Sequence, residues 1–382
     1  KPFWLEFLSA GARLAPAPPL APGRMPAPRG AEEETEAADR PEDPAGYMEW
    51  ALEKAGGGGF FQYKYLVLMG LPWVYWGMQT YACLFFFEGM DISVRCPSGA
   101  TRGVCATLGE GIFPGNGTDP CSLPDGASFE FTEEAMKASA LSTFDLVCSR
   151  GHLVPALTTM FFGGFAVGLC LGGSWADSRG RKEAYLAGLV ALVAPGILQA
   201  TSADYAQFAL ARGLFGFAFG FMVMTPFVWS SEFLGRATRG TIVWSSNCCF
   251  ALGQILVSPL AWCLQGSWRQ LAWASFLVGC LLFTYARCLH ESPKWLASRR
   301  RYSEAHEVLC RIASGNGRPM PPPPPDGTQA VVTENAPRQK GSCRQLCDRR
   351  LLTRFLVACA SWFTVSFGFY GLSLNAGNLP LG

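Results

Sequence analysis

The chain has 382 residues, of which 49% are hydrophobic, 13% aromatic and 16% charged, and its formal net charge is +2. A soluble chain of this length would need more polar surface, and the balanced charge indicates no nucleic-acid-binding surface. Seven stretches almost free of charge have the length of about 20 residues that a helix needs to cross a bilayer. An all-α polytopic membrane protein, embedded in the lipid bilayer, is therefore predicted.

The N-terminal part has a different composition from the rest of the chain. Residues 1–47 are rich in Pro and Ala and then in acids, so a disordered extension is predicted. The sequence opens without a methionine, and Met48 is the expected natural start. Residues 48–64 are predicted as a cytoplasmic N-terminus, and the first span is expected to act as its own insertion signal.

The charge-poor stretches are interpreted as membrane spans TM1 to TM7: 65–87, 153–176, 184–203, 205–231, 241–264, 270–286 and 355–375. Basic residues gather in the loop 178–182, at Arg236 and Arg239, and in the segment 287–354. The positive-inside rule assigns these connections, and with them the N-terminus, to the cytoplasm. The last segment contains a proline run at 321–325, which is interpreted as a flexible linker between two helical bundles, with an SH3-type ligand as the alternative.

The segment 88–152 is predicted as an extracellular loop. It contains a glycosylation sequon at Asn116 and four cysteines, Cys96, Cys105, Cys121 and Cys148. Two disulfide bonds are expected, and all three possible pairings stay open. The charge bias, the sequon and the cysteine group assign the same side of the membrane to this loop.

The remaining polar chemistry indicates no enzyme. Most other cysteines lie inside the apolar spans, where they are interpreted as small buried hydrophobes, and the three histidines are isolated. The sequence contains no nucleophile–base pair, no phosphate-binding loop and no zinc-ligand spacing, so no metal and no cofactor is predicted.

The loop between the second and third spans carries a specific motif, Gly173-Ser174-Trp175-Ala176-Asp177-Ser178-Arg179-Gly180-Arg181-Lys182. It resembles the signature of the major facilitator superfamily, Gly-x-x-x-Asp-Arg-x-Gly-Arg-Arg/Lys, and departs from it at Ser178, where the family has Arg. Glycines permit a tight turn, while the Asp and the basic group can pair with helix ends. The alternative, topogenic charge alone, would leave Asp177 and its flanking glycines unexplained.

Further motifs resemble one branch of that superfamily, the SLC22 organic ion transporters. They occur in the family's order: Phe144-Asp145-Leu146-Val147-Cys148, Arg212 with Gly216, Glu232 with Arg239, Glu291-Ser292-Pro293-Lys294-Trp295-Leu296, Arg301-Tyr302-Ser303-Glu304-Ala305, and Trp362-Phe363 with Tyr370-Gly371-Leu372. His290 replaces the proline that the family has before its Glu-Ser-Pro motif. The resemblance implies the major facilitator fold, with an N-terminal six-helix bundle followed by the first helix of a C-terminal bundle.

The resemblance also implies functional residues. The cytoplasmic gate and its motifs comprise Gly173, Asp177, Gly180, Arg181, Lys182, Arg212, Glu232 and Arg239. Glu232 and Arg239 are expected to form an ion network there with Asp177 and Arg181. Arg212 is an ionised group well inside a span, where burial costs at least about 2.5 kcal/mol, so it is a candidate for function or for helix packing. The expected substrate pocket is lined by Trp76, Phe162, Phe165, Asn247, Phe250, Trp362 and Tyr370.

The leading hypothesis is a plasma-membrane carrier that moves small organic ions by alternating access, with the substrate's charge and any coupling ion left open. The alternative is a non-transporting or regulatory product, because the family has twelve spans and this chain ends after the seventh. A seven-helix receptor would require an extracellular N-terminus, and the basic loops predict the opposite.

Overall fold

The computed structural model describes residues 41, 44–87, 92–96, 111–114, 121, 128–264, 267–286, 288–323 and 349–375. Two helices precede the outer loop, α1 (Pro44–Lys54) and α2 (Phe60–Phe86), and two short ones end it, α3 (Glu133–Ala138) and α4 (Ala140–Thr143). The longer helices that follow are α5 (Leu153–Arg179), α6 (Arg181–Ala200), α7 (Tyr205–Phe233), α8 (Thr241–Cys263) and α9 (Trp268–Ala286). The last three are α10 (Pro293–Ser298), α11 (Tyr302–Gly315) and α12 (Arg349–Asn375).

Each of the seven predicted spans coincides with one long helix, namely α2, α5 to α9 and α12. Among the described residues, five segments are long and apolar enough to cross a membrane: Cys148–Arg179, Arg181–Ala200, Tyr205–Phe233, Thr241–Cys263 and Leu351–Leu372. Helices α2 and α9 are as long as a span, although they are not among these five. The chain is an all-α, multi-pass membrane protein.

The N-terminal region is more ordered than the sequence predicts. Helix α1 begins at Pro44, so the predicted disordered extension 1–47 is wrong for its last four residues. Tyr47 and Met48 are 2% and 4% exposed, and Leu52 is fully buried, because this short helix packs against α10 and α11 and joins the hydrophobic core. Helix α2 then begins at Phe60, five residues before the predicted first span.

Glycines bring α5 and α7 into close contact. A Cβ atom at Gly216 would lie 2.1 Å from the carbonyl oxygen of Phe161, and one at Gly168 would lie 2.0 Å from that of Phe217. Small residues at such positions let two helix backbones approach each other, which is how helices associate in membranes. This packing positions the aromatic face of α5 that is described below.

The outer loop contains a small sheet that the sequence does not predict. Strand β1 (Ile92–Cys96) lies between β2 (Gly111–Pro114) and β3 (Ser128–Phe131) and pairs antiparallel with both. Of the three pairings open to the four loop cysteines, the structure selects one that joins Cys121 to Cys148. Asn116 and Cys105 lie outside the described residues.

Helix α11 is amphipathic and docks against the start of α2. Its apolar side chains, Ala305, Val308, Leu309, Ile312 and Ala313, are buried. Asn316, which follows the helix, donates to the carbonyl oxygen of Ala55 and to Oε1 of Gln62, each over 2.8 Å. Its Oδ1 accepts from the Phe61 amide over 2.8 Å. The segment after α9 is thereby tied to the N-terminal region.

Candidate functional site: charged clusters and an aromatic face

Asp177, Arg181, Glu232 and Glu291 form a group that we call the Arg181 cluster. Arg181 donates through Nη2 and Nε to the Glu232 carboxylate over 2.9 to 3.2 Å, and through Nη1 to Asp177 over 3.0 Å. The Arg181 and Glu232 side chains are only 10% and 14% exposed, whereas that of Asp177 is 79% exposed. The Arg181–Glu232 contact is thus a nearly buried, multiply hydrogen-bonded ion pair that joins the starting end of α6 to the final turn of α7.

Gly180 makes the turn between α5 and α6 possible. Its φ of +118° lies in the region that side chains disfavour, and an added Cβ would lie 2.3 Å from Oε2 of Glu291. Glu291 therefore reaches the first amides of α6: its Oε1 accepts from Arg181 N over 3.0 Å, and its Oε2 accepts from Lys182 N over 3.2 Å. Burial raises the pKa of Glu291 above its ordinary value, although these amides and the Arg181 charge act in the opposite direction.

One segment, residues 291–299, forms hydrogen bonds with both the end of α5 and the start of α6. Trp295 Nε1 donates to the Asp177 carbonyl oxygen over 3.1 Å, and Arg299 Nη2 donates to that carbonyl and to the one of Ser178. A carboxylate at a helix N-terminus and a cation at a helix C-terminus are both favoured by the helix dipole. The segment after α9 is electrostatically matched to both ends of the α5–α6 turn.

A second group, the Glu49 cluster, joins three further segments. Glu49 of α1 binds Arg239 at close range, Lys294 over 2.8 Å and Arg236 over 3.4 Å. Burial raises the pKa of Glu49, but the Lys294 hydrogen bond and the three cationic charges together lower it below its ordinary value. Arg239 thus pairs with Glu49 and not with Glu232, Asp177 or Arg181, the partners that the sequence motifs predict for it.

Other predicted gate residues are dispersed. A Cβ at Gly173 would meet open space, and Lys182 contributes its backbone amide to Glu291. Arg212 lies apart from the Arg181 cluster, because it precedes Glu232 by 20 residues on one helix and so lies about 30 Å away along α7. It is 3% exposed, its guanidinium lies 4.8 Å from the Phe161 ring centroid, and its Nε and Nη1 find no hydrogen-bond acceptor among the described residues.

Five of the predicted substrate residues lie together in what we call the aromatic cluster. The Trp76 ring centroid is 5.8 Å from that of Phe165 and 5.3 Å from that of Phe250, and Phe162 is 5.1 Å from Tyr370. The Phe161 ring connects the two parts, since it is 5.3 Å from Phe162 and 6.2 Å from Phe165. The cluster therefore draws side chains from α2, α5, α8 and α12.

Two predicted substrate residues lie outside this cluster. Asn247 is exposed and donates to the Val243 carbonyl oxygen of its own helix over 2.7 Å. Trp362 is 73% exposed on α12. Phe219 of α7, which the sequence does not single out, packs 6.1 Å from Trp76 and 6.3 Å from Phe165.

Some residues of the charged clusters are not assigned to the gate by the sequence, and they differ in how easily a sequence motif could have identified them. Glu291 and Trp295 belong to the Glu-Ser-Pro-Lys-Trp-Leu motif, so a motif reading could have assigned them to the gate. Glu49 carries no such signal, because it precedes Arg239 by 190 residues. No group of three metal-ligating side chains occurs within the described part of the chain.

Comparison with known proteins agrees with this architecture. Residues 132–370 match the family described as "Sugar (and other) transporter". Human solute carrier family 22 member 13 is 31% identical over 70% of this chain and 47% of its own length. The Arabidopsis thaliana organic cation/carnitine transporter 4 is 29% identical over 84% of this chain and 59% of its own length.

A solved structure also resembles the chain. The partially occluded inward-open conformation of the xylose transporter XylE from E. coli aligns with a TM-score of 0.46 and 16% identity, over 66% of this chain and 53% of that one.

By its candidate spans and its family match, the chain is a multi-pass membrane protein of the transporter type. The chain belongs to the sugar (and other) transporter family of the major facilitator superfamily, and its curated relatives are members of the SLC22 family. The chain spans about half the length of the curated relatives that it matches.

Proposed function

We propose that the protein is a secondary-active or facilitative carrier of small organic ions, which works by alternating access in the plasma membrane with its N-terminus in the cytoplasm. The aromatic cluster is the observation that carries this proposal. Its rings come from α12 and from the six-helix body, by which we mean α2 and α5 to α9, so it lies where two bundles of such a carrier would meet. The Arabidopsis relative, an organic cation/carnitine transporter, supports the substrate class.

The chemistry of the cluster suits organic ions in particular. Tryptophan and phenylalanine faces attract cations through their ring quadrupole, and they also stack on planar organic anions. Sugars, in contrast, are held mainly through hydrogen bonds to their hydroxyl groups. The Trp76, Phe162, Phe165 and Phe250 side chains supply ring faces, which favours an organic ion over a sugar.

The charged clusters support the proposed orientation. Arg181, Arg236, Arg239 and Lys294 share one end of the bundle. The Arg181 amide donates to Glu291, which precedes Lys294 by three residues, and Glu49 contacts Lys294, Arg236 and Arg239. Basic residues that flank spans are retained in the cytoplasm. In an alternating-access cycle, this end would form the scaffold of the cytoplasmic gate.

Uptake into cells that express the full-length protein tests the proposal. Labelled carnitine, an organic cation and an organic anion are supplied separately, and uptake of one class above that of mock-transfected cells is expected. The variant Trp76→Ala should raise KM for that substrate by about tenfold, because a ring–ligand contact contributes about 1 to 2 kcal/mol. Trp262→Ala is the matched control, since Trp262 is a tryptophan of α8 that is 82% exposed. Absence of uptake for all three classes at normal surface expression would refute the proposal.

A further inference from the structure

Polar atoms without hydrogen-bond partners lie next to the aromatic cluster. Trp76 Nε1 of α2 and Gln254 Nε2 of α8 are both buried, and neither finds an acceptor among the described residues. The hydroxyl of Thr80, one helical turn after Trp76, is also buried and has no partner there. Almost all buried polar groups in folded proteins are hydrogen-bonded, so unpaired donors beside a proposed substrate site indicate that the bound substrate supplies the acceptor.

The packing of α2 against α8 brings these atoms to one side of the helix pair. A Cβ at Gly77 would lie 2.1 Å from the Phe250 carbonyl oxygen and 3.1 Å from the Gln254 amide nitrogen, so the two backbones touch at this level. The Trp76 and Phe250 rings meet on one flank of that contact, with centroids 5.3 Å apart. Gln254 follows Phe250 by one helical turn and therefore shares its face, about 6 Å further along α8.

The charge distribution along the long helices favours an anion at this position. Within the described helices α2, α5 to α9 and α12, the carboxylates are Asp177, Glu183 and Glu232, and all three lie in or next to the Arg181 cluster. Arg212, in contrast, is a cation that is 3% exposed, 4.8 Å from the Phe161 ring centroid, and its Nε and Nη1 find no acceptor in the described part of the chain. A buried charge acts over several ångströms of protein interior, so this guanidinium attracts an anion and repels a cation in the aromatic cluster.

We propose that Trp76 Nε1 and Gln254 Nε2 form a carboxylate subsite, which binds the acid group of an aryl substrate whose ring lies against the aromatic cluster. Both atoms only donate hydrogen bonds, so they suit a carboxylate oxygen. A quaternary ammonium has no acceptor for them, and a sugar hydroxyl needs acceptors as well as donors. The inference rests on the proposed function, because it assigns the charge of the ion to the same site. The protein therefore selects organic ions that carry a carboxylate over simple organic cations.

Equilibrium dialysis with ligands that share one ring system tests the subsite. Purified full-length protein in detergent is titrated with labelled naphthoate, naphthyltrimethylammonium and methylnaphthalene, all substituted at the same ring position, and binding to empty micelles is subtracted. Naphthoate should bind at least about tenfold more tightly than the ammonium, because only the carboxylate accepts hydrogen bonds from the subsite. An ammonium that binds as tightly as naphthoate would overturn the proposal.

Conservative variants separate hydrogen bonding from packing. Gln254→Leu and Trp76→Phe remove the donors but keep an apolar side chain or a ring, so each should weaken naphthoate binding by about tenfold or more and leave methylnaphthalene binding within about twofold. Gln254→Glu should weaken naphthoate binding by about a hundredfold, because like charges about 6 Å apart repel, and should strengthen binding of the ammonium, a gain that a misfolded variant cannot show. Gln199→Leu is the matched control, since Gln199 of α6 is also a buried glutamine, 3% exposed, whose Oε1 has no partner among the described residues.

The variants provide two further results that would overturn the proposal. One is an unchanged naphthoate affinity in both Gln254→Leu and Trp76→Phe, and the other is an equal loss of naphthoate and methylnaphthalene binding, which would indicate altered packing. Dialysis measures binding and not transport, so the proposed carrier function is judged separately. Naphthoate binding without uptake of any ion would support the subsite and refute the carrier, whereas cation uptake without naphthoate binding would do the opposite.

Discussion

A double-mutant cycle on Arg181 and Glu232 tests whether the Arg181 cluster stabilises the bundle. Arg181→Met and Glu232→Met each leave the other charge nearly buried, a change that costs about 3 to 5 kcal/mol in buried pairs. Asp177 keeps one bond to Arg181 in the Glu232 variant, so the lower value, about 3 kcal/mol, is expected there. The double variant buries no unpaired charge from this ion pair, so it should cost less than the sum of the single variants by about 2 to 3 kcal/mol.

The cycle has a built-in correction and a matched control. Arg181 Nη1 also donates to the Ala176 carbonyl oxygen over 2.7 Å, but this loss occurs in both variants that lack Arg181 and therefore cancels. Arg179 and Glu183 form an ion pair at the same turn, with a distance of 3.6 Å and exposures of 65% and 48%. Their coupling energy should be about 0.3 to 0.5 kcal/mol.

Thermal unfolding in detergent, followed by circular dichroism, provides the measurement. Glu232→Met should lower Tm by about 6 to 12 °C and Arg181→Met by about 6 to 20 °C, because 1 kcal/mol corresponds to about 2 to 4 °C for a domain of this size. A coupling energy for Arg181 and Glu232 no larger than that of the exposed pair would refute the reasoning.

Three further predictions concern the same end of the molecule and are checked by the same unfolding assay. Gly180→Ala should destabilise by about 1 to 3 kcal/mol, because it combines positive φ with a clash against Glu291, and an unchanged Tm would contradict this. Glu291→Ala should destabilise the protein more than Glu291→Gln, since glutamine retains an acceptor oxygen for the α6 amides. Because the pKa of Glu291 is raised, the wild-type protein should gain stability relative to Glu291→Gln as the pH falls towards 4.5. Glu49→Gln should show the opposite trend, because the lowered pKa of Glu49 gives wild type an advantage that is present above pH 4.5 and is lost as pH falls below it; parallel trends for the two carboxylates would refute both assignments.

The sequence predicts the long helices well because their signal is local. A bilayer requires about 20 apolar residues in a row, so composition alone locates a span. The two helices outside that set of five, α2 and α9, show the limit of that signal, since polar or aromatic residues such as Tyr75 and Gln79 of α2 and Trp268 of α9 are buried inside the bundle. Motifs locate the turn between α5 and α6 for a similar reason, because Gly180 and its neighbours satisfy a local geometric requirement.

The charge pairing could not be predicted to the same extent, because it depends on tertiary contacts. Arg239 follows Glu232 in sequence, and only the packing of α1 shows that its partner is Glu49. Only the packing of α5 against α7 shows that the Arg212 guanidinium lies 4.8 Å from the Phe161 ring centroid, far from Glu232. A list of charged motif residues therefore contains at least two unrelated sites.

The two charged clusters also determine where the molecule can move. The clusters link four segments: α1, the α7–α8 turn, the segment after α9 and the start of α6. The linking residues are Glu49, Arg239, Lys294, Glu291 and Arg181. Separating any of these segments would leave a half-buried charge without its partner, at a cost of several kcal/mol. Neither cluster includes a residue of α12, and the α12 side chains from 351 to 372 are mostly exposed. Since motion follows the contacts that cost least to break, the six-helix body is expected to move as one unit, with the Phe162–Tyr370 contact as the place where it slides against α12.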